Sequence, residues 1–319
     1  MKLFPRYQTK NVRLLFFVRG ILIYLGGAAA TARRLDARWE RMDDEERAYV
    51  MRRVNYYCKL EQPFDVGPKA ITLAEYRKKI IGPKSNYFFD LYEHVRYFDA
   101  SARFNYRFGD RTEVEAHPTF VKARPIDGDN ANSVNINLDK IRHFNFIHDH
   151  LAWQEKSNRL VWRGVAKRKH RTILLESWFD HPSFDLGRTN DPDKDGKWVK
   201  PFMSIRDQLK FKFILSIEGN DVATNLKWIM SSGSLCFMPK PKFETWYMEG
   251  TLEAGKHYVL VADDYSDLEE KVRYYSEHAD EARAIVANAN AYVTQFLDAE
   301  REALIGRKVV EKYLSLAKR

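Results

Sequence analysis

One segment, from Phe211 to Met238, constrains the fold more than any other part of the sequence. Its apolar run Phe213–Ile217 is long enough for a buried strand and too short for a helix. After a polar interruption, apolar residues return at helical spacing over Val222–Met230, and a second short apolar run follows at Leu235–Met238. A strand, a helix and a strand in this order make the βαβ unit of a parallel sheet. The sequence therefore predicts an α/β fold.

Parallel sheets bind ligands at the carboxyl ends of their strands, where a helix that begins there presents unpaired N–H groups. In this segment that position falls on the polar residues Glu218–Asp221. Asn220 or Asp221 is suited to cap the predicted helix. The pattern indicates a ligand site at this turn; the alternative is an ordinary core βαβ unit without a ligand.

Length and charge narrow the class of protein. A chain of 319 residues suggests two domains, and 45% hydrophobic residues can fill two cores. The net charge of +9 favours an anionic partner such as a nucleotide phosphate or a lipid headgroup. Nucleic acid is disfavoured because the sequence has no zinc-finger, RNA-binding or basic-zipper pattern. The two cysteines, Cys58 and Cys236, do not form a disulfide framework, which fits a reducing compartment.

The first 35 residues are basic and apolar. Leu14–Ala30 is apolar except for Arg19, and basic residues flank it on both sides. The uninterrupted part is about 11 residues, short of the roughly 20 that span a bilayer. We interpret residues 1–35 as a helix that lies on an anionic membrane surface. A helix packed inside a domain, and an anchor or signal peptide, are the alternatives.

A second candidate anion site lies upstream. The predicted strand Leu160–Trp162 runs into Arg163 and Gly164, and the basic cluster Lys167–Arg171 follows before a predicted helix at Thr172–Phe179. Basic residues at a helix N-terminus oppose the helix dipole, and a bound anion would offset that cost. The alternative is a solvated basic turn.

The turn-rich segment Gly187–Lys200 contains three aspartates but lacks the spacing and the closing glutamate of an EF-hand. It therefore predicts a surface loop, and the sequence predicts no metal site. Further on, Phe243–Gly250 predicts a loop or a single helical turn.

These segments together resemble glycosyltransferase family 90. This family includes bacterial lipopolysaccharide-modifying enzymes, fungal capsule-associated xylosyltransferases and animal protein O-glucosyltransferases. The similarity covers most of the chain in order, and the segment RVNYYCKL (Arg53–Leu60) resembles the bacterial branch of the family. The segments that carry it are RVNYYCKL (Arg53–Leu60), RLVWRG (Arg159–Gly164), Lys210–Lys240, FETWYMEG (Phe243–Gly250) and HYVLVADDYSDLEEKV (His257–Val272).

The resemblance implies a GT-B fold, in which two Rossmann-like domains face each other across a cleft, here with C-terminal helices. We place a basic apolar helix at residues 1–35, an acceptor-side domain at 36–155 and a nucleotide-sugar-binding domain at 156–319. The implied reaction is inverting transfer of a hexosyl or pentosyl group from a UDP-sugar, which is a substrate, with no cofactor and no obligatory metal.

The resemblance also implies which residues bind the nucleotide sugar. Lys227 stands where the animal enzymes have an arginine that binds the diphosphate, which keeps the charge and loses the bidentate fork. Glu244 matches an acidic position suited to a ribose contact, with a structural role as the alternative. The full predicted set is Arg163, Gly164, Arg171, Gly219, Asn220, Asp221, Val222, Ala223, Thr224, Asn225, Leu226, Lys227 and Glu244.

Inverting transfer needs a base that takes the proton of the acceptor hydroxyl. Asp110, in the sequence RFGDRT, matches the family's catalytic aspartate by its place after a predicted strand. Gly-Asp is also common turn chemistry, so a turn residue is the alternative. Glu113 and Glu115 are the other candidate bases.

The expected function is sugar transfer to a lipopolysaccharide core or a related cell-surface glycan, on the cytoplasmic face of an anionic membrane. A nucleotide- or polyanion-binding protein without catalytic activity on the same scaffold is one alternative. A protein O-glucosyltransferase is the other, and the two lone cysteines together with the lack of a C-terminal KDEL-type retention signal disfavour it.

Overall fold

The computed structural model describes residues 13–80, 82, 84–191 and 194–318. Its α-helices are α1 (Arg13–Leu25), α2 (Ala29–Arg41), α3 (Asp44–Tyr57), α4 (Leu73–Arg77), α5 (Ser85–Val95), α6 (Lys140–His143), α7 (Lys169–Trp178), α8 (Ile205–Gln208), α9 (Leu226–Met230), α10 (Leu268–Glu277), α11 (Ala279–Thr294) and α12 (Ala299–Leu316). Its strands are β1 (Ile71–Thr72), β2 (Arg103–Phe104), β3 (Tyr106–Arg107), β4 (Thr119–Val121), β5 (Ala123–Pro125), β6 (Ser133–Asn135), β7 (Ser157–Gly164), β8 (Phe184–Arg188), β9 (Phe211–Leu215), β10 (Leu235–Met238), β11 (Phe243–Thr245) and β12 (Val259–Leu260). The predicted mixed α/β class is confirmed.

The chain forms two compact units. We call His143–Pro241 and Gly250–Gln295 the sheet unit. The helical unit contains the described residues up to Arg142, Lys242–Glu249, and the chain from Phe296 onward. This division differs from the predicted one: the change of unit falls at 142/143 instead of 155/156, and the chain returns to the helical unit twice.

The sheet unit contains a five-stranded sheet in the order β12-β10-β9-β7-β8. Every neighbouring pair is parallel. Numbered along the chain, this order is 2-1-3-4-5, the order of doubly wound α/β folds. The strand order reverses between β7 and β9, which are hydrogen-bonded neighbours.

Alternation along β7 explains how this sheet builds its core. Leu160 and Trp162 face a buried cluster with Leu174 of α7, Leu268 of α10 and Ile285 of α11. Side chains at successive strand positions point to opposite faces of the sheet, so the buried Val161, which lies between Leu160 and Trp162, faces the other side. Helices of this unit therefore cover a continuous apolar surface.

The helical unit has smaller sheets. Strands β3, β4 and β6 form a three-stranded parallel sheet, while β1 pairs with β2 and β11 pairs with β5 in antiparallel ladders. Aromatic contacts supply much of the remaining core, as between Tyr76 and Phe88 and between Phe120 and Tyr313. The two Rossmann-like domains in a GT-B arrangement therefore stay a proposal.

Helix α12 belongs to the helical unit, where its side chains make buried hydrogen bonds with other residues of that unit. Glu302 accepts hydrogen bonds from Arg53 of α3 and from the Trp246 indole N–H, at 2.9 Å and 2.6 Å. Gly306 permits close contact with α5, since a Cβ there would lie 2.2 Å from His94 Nδ1. Periodicity alone could not assign this helix, because its partners lie far away in the sequence.

The N-terminal helices α1 and α2 are bent by 97° at the break between them. In the part of the chain that the structure describes, no single helix is long and apolar enough to cross a membrane, although the bent pair passes that test by length and composition. The basic residues Lys2, Arg6 and Lys10 lie outside the described residues.

Two local predictions need correction. The helix expected from Val222 begins only at Leu226, because residues 219–225 form a turn whose side chains bond to the end of β9. The loop or helical turn expected from Phe243 begins instead as strand β11, which pairs with β5.

Candidate active site

The loops that follow β7 and β9 lie at the point where the strand order reverses. β7 ends at Gly164 and β9 at Leu215, and both strands run in the same direction. Ligands of open α/β sheets bind at the carboxyl ends of strands at such a switch point. We call Val165–Arg168 loop A and Ser216–Asn225 loop B.

Arg171, in the first turn of α7, links the two loops. Its Nη1 donates to the Val165 carbonyl of loop A at 2.8 Å. Its Nη2 and Nε donate to the Ile217 and Glu218 carbonyls of loop B at 2.7 and 2.9 Å. Burial lowers the pKa of Arg171, but its ordinary pKa is far enough above 7 that the guanidinium stays charged. A positive charge is therefore fixed between the two loops.

Two further side chains from the start of α7 reach loop B. Arg168 Nε donates to Asn220 Oδ1 at 2.8 Å, and a ring nitrogen of His170 lies 2.8 Å from the Glu218 carbonyl. Within the described chain the side chain of the N-cap residue Arg168 does not cap α7 and bonds to loop B. The basic cluster thus serves to order loop B.

Loop B is tied back to its own strand. Asn225 Nδ2 donates to the Leu215 carbonyl at 3.1 Å, and the Ser216 hydroxyl lies 3.1 Å from Asn225 Oδ1. Gly219 allows the close approach of Arg171, since a Cβ there would lie 3.3 Å from Nη2. Ser216 was missed because the sequence analysis placed it inside the predicted strand Phe213–Ile217, whereas β9 ends at Leu215. Of the predicted nucleotide-binding residues, Gly219, Asn220, Asp221, Val222, Ala223, Thr224 and Asn225 lie in loop B, and Leu226 begins α9.

Gly164 and Arg163 have structural roles at the end of β7. A Cβ at Gly164 would lie 2.6 Å from the Trp162 ring. Arg163 is ion-paired with Asp185 of β8 at 2.7 Å and also donates to the carbonyls of Trp162, Asp185 and Pro201. These contacts occupy the guanidinium. They hold β7 against β8, and the phosphate contact of Arg163 stays a prediction.

Lys227 lies in α9, directly after loop B. Its side chain is fully buried, and its Nζ is 6.0 Å from the centroid of the Phe144 ring. Its ammonium group adds a buried positive charge to the sheet unit.

In the helical unit, Asp110 follows a turn at the carboxyl end of β3. Gly109 adopts φ +104°, a conformation that L side chains rarely take, and so sets this turn. Lys122 Nζ donates to Asp110 Oδ1 at 2.6 Å, and Arg142 Nη1 lies 3.9 Å from the same oxygen. The Asp110 side chain keeps 23% of its surface exposed.

The other candidate bases differ in their surroundings. Glu115 pairs with Arg107 at 3.6 Å, and Glu113 is exposed. Asp139, which the sequence prediction missed, is buried and adopts φ +56° while it accepts from Asn86 Nδ2 at 2.7 Å and from the Tyr87 hydroxyl at 3.2 Å. Its place directly after VNINL, whose alternating apolar residues are typical of a strand, was the available signal.

Glu244 belongs to the helical unit, whereas the other predicted nucleotide-binding residues belong to the sheet unit. It lies opposite Arg124 in the β5–β11 ladder, and Arg124 Nε donates to Glu244 Oε1 at 2.8 Å. The Tyr56 hydroxyl donates to the other carboxylate oxygen. Both side chains of the ion pair are buried. This geometry favours the structural role over the ribose contact.

No cluster of His, Cys, Asp or Glu that could hold a metal occurs among the described residues. The sheet unit carries the cations Arg168 and Arg171 beside loops A and B, and the helical unit carries the partly exposed side chain of Asp110.

Comparison with known proteins identifies the class. The chain belongs to glycosyltransferase family 90, whose model matches residues 130–318. The chain is 43% identical to O-glucosyltransferase LpsA of Dichelobacter nodosus, over 88% of this chain and 87% of that protein. It is 28% identical to Protein O-glucosyltransferase 3 of Homo sapiens over 51% of this chain and 33% of that protein, and 27% identical to Protein O-glucosyltransferase 2 of Danio rerio over 52% and 34%. The protein is therefore a glycosyltransferase, as predicted from the sequence.

Proposed function

We propose that this glycosyltransferase moves a sugar from a UDP-sugar, with inversion, to a hydroxyl group of a lipopolysaccharide core or a related cell-surface glycan. Glucose is the favoured sugar because the relatives are named O-glucosyltransferases. We further propose that the two units correspond to the two halves of a GT-B enzyme. The unpaired cysteines Cys58 and Cys236 support a cytoplasmic setting.

The observation that carries the proposal is the position of Arg171 between loops A and B. Transfer leaves a nucleoside diphosphate on which negative charge grows, and fixed cations and N–H groups stabilise that charge. Arg171, Arg168 and the first turn of α7 supply such groups at the switch point of the parallel sheet. We assign the diphosphate to this position, with Lys227 adding to the positive potential.

Asp110 is the proposed base. It is a partly exposed carboxylate whose orientation is fixed by Lys122. In the reaction it takes the proton of the acceptor hydroxyl while that oxygen bonds to the anomeric carbon and the UDP oxygen leaves.

A protein acceptor is the second candidate, because two animal relatives are named protein O-glucosyltransferases. Those matches span about half of this chain, whereas the match to the bacterial relative spans 88% of it. The fuller match is thus to a relative whose name does not mention a protein acceptor.

Thermal unfolding in the presence of different UDP-sugars tests the sugar-donor assignment. A sugar donor at 100 times its dissociation constant should stabilise the protein by about 2.7 kcal/mol. The enzyme should hydrolyse the UDP-sugar that binds best slowly. It should transfer the sugar of that UDP-sugar to isolated core glycan but not to a folded peptide domain. If UDP, UDP-sugars and other nucleotide sugars all leave the unfolding temperature unchanged, the proposal fails.

A further inference from the structure

Helix α1 has two apolar faces, and one of them is packed against α5. The centroids of the Phe17 and Phe89 rings are 6.0 Å apart, and those of the Tyr24 and Tyr92 rings are 5.3 Å apart. Gly20 makes this contact possible, because a Cβ there would lie 2.6 Å from Phe89 Cγ. This face accounts for the position of α1 on the helical unit.

The second apolar face is exposed. At 3.6 residues per turn its members fall within an arc of about 120° on the helix surface. Leu22 is 65% exposed and Leu25 is 76% exposed. We call this face the α1 stripe, and it consists of Leu14, Leu15, Val18, Ile21, Leu22 and Leu25. Contiguous exposed apolar surface of this kind marks a binding surface, whereas single exposed residues such as Leu297 are ordinary.

The charged residues of the sequence up to Arg34 are all basic. The first 34 residues of the sequence contain seven Lys or Arg residues and no Asp or Glu. Of these, Arg19 stays 65% exposed although it pairs with Glu93, and Arg34 is 66% exposed. A second copy of the chain on this face would bring these like charges together, while an anionic surface would complement them.

We propose that the α1 stripe is a membrane-binding surface that lies in the headgroup region of an anionic lipid bilayer. A helix of 13 residues is about 20 Å long, shorter than the roughly 30 Å hydrocarbon core. A short helix with one apolar face and basic surroundings binds parallel to the bilayer plane. This inference does not depend on which sugar or acceptor the enzyme uses.

Flotation of the full chain with lipid vesicles tests the proposal. The vesicles are phosphatidylcholine alone, or phosphatidylcholine mixed with phosphatidylglycerol. The test variant is Leu22→Glu with Leu25→Glu, and the matched control is Leu297→Glu, at a leucine of 56% exposure outside α1. All three positions are exposed, so circular dichroism and the unfolding temperature should match the wild type.

We expect the wild type and Leu297→Glu to float with the anionic vesicles, more weakly at high salt. The double variant should bind roughly tenfold less or worse. Equal flotation of the double variant, or no flotation of the wild type, would overturn the proposal. It would also be overturned if light scattering without vesicles showed a wild-type dimer that the double variant converts to a monomer.

Discussion

The ammonium group of Lys122 lies 2.6 Å from the Asp110 carboxylate, and Lys122 itself is buried in the helical unit. Asp110 is part of a turn, where a side chain would otherwise sample several rotamers. Lys122 is the single residue between β4 and β5, which belong to two different sheets, and its buried side chain holds the Asp110 carboxylate in place. A base held in one geometry needs less reorganisation when it takes a proton.

Replacing Asp110 with Asn should abolish most sugar transfer and leave binding of the sugar donor intact. The amide keeps the shape of the side chain but cannot accept the proton, and loss of a general base costs about 10²- to 10⁴-fold in rate. Turnover and stabilisation by the UDP-sugar are measured on the same protein. Glu113→Gln, at a nearby exposed carboxylate, is the control and should keep normal turnover. Near-normal turnover of Asp110→Asn would remove Asp110 from the mechanism.

Lys122→Met should lower kcat by roughly tenfold and leave KM for the sugar donor unchanged, because Lys122 positions Asp110 and does not contact that substrate. Steady-state kinetics of both substrates provides the measurement. Lys84→Met is a useful comparison, since Lys84 bonds to the Phe108 carbonyl at 2.7 Å near the same turn. A role for Lys122 in stability alone would reduce the amount of folded protein with kcat per folded molecule unchanged.

Arg171→Lys should weaken UDP-sugar binding by about 10- to 100-fold, because hydrogen bonds to a charged group contribute about 1.5–3 kcal/mol. Lysine keeps the charge but cannot hold three carbonyls and a diphosphate together. The dissociation constant is measured by calorimetry. Arg159→Ala, near the opposite end of β7, is the control and should bind normally. Unchanged affinity in Arg171→Lys would refute the assignment of the diphosphate to loops A and B.

The surroundings of Arg171 could be predicted from the sequence, whereas those of Glu244 could not. The strands, α7 and the basic cluster follow from short-range patterns, so the elements that bring Arg171 to the switch point were predictable. The partner of Glu244, Arg124, is 120 positions away, and no local pattern reveals that pair. The start of α9 was mispredicted for a similar reason, because the Asn225 side chain bonds to the preceding strand.

Glu244→Gln should destabilise the protein by about 3–5 kcal/mol, since it leaves the buried Arg124 without its counter-charge. UDP-sugar affinity and turnover per folded molecule should remain near wild type. Urea unfolding gives the stability, and Glu115→Gln, in a more exposed pair, should change it by less than about 1 kcal/mol. If the free energy of unfolding stays normal and UDP-sugar affinity falls tenfold, Glu244 contacts the ribose and does not serve mainly as the partner of Arg124.

Asp90 on α5 should make stability depend on pH. It is buried, and its carboxylate accepts the Lys140 backbone N–H at 3.0 Å. Burial raises the pKa of Asp90 to about 7, the nearby carboxylates of Glu93 and Asp139 add to the shift, and the Lys140 ammonium opposes it. Because the folded-state pKa lies above the unfolded value, Asp90 contributes stability that is fully present below about pH 4 and is lost as the pH rises to about 7.

The measurement is the free energy of unfolding in urea between pH 4 and pH 8, for the wild type and Asp90→Asn. The amide cannot ionise, so the variant should gain stability relative to the wild type as the pH rises through this window. Asp280→Asn, at an aspartate whose side chain is 91% exposed, should show no comparable gain. A difference between wild type and Asp90→Asn that stays constant with pH would mean that the buried carboxyl group does not titrate differently in the folded and unfolded states.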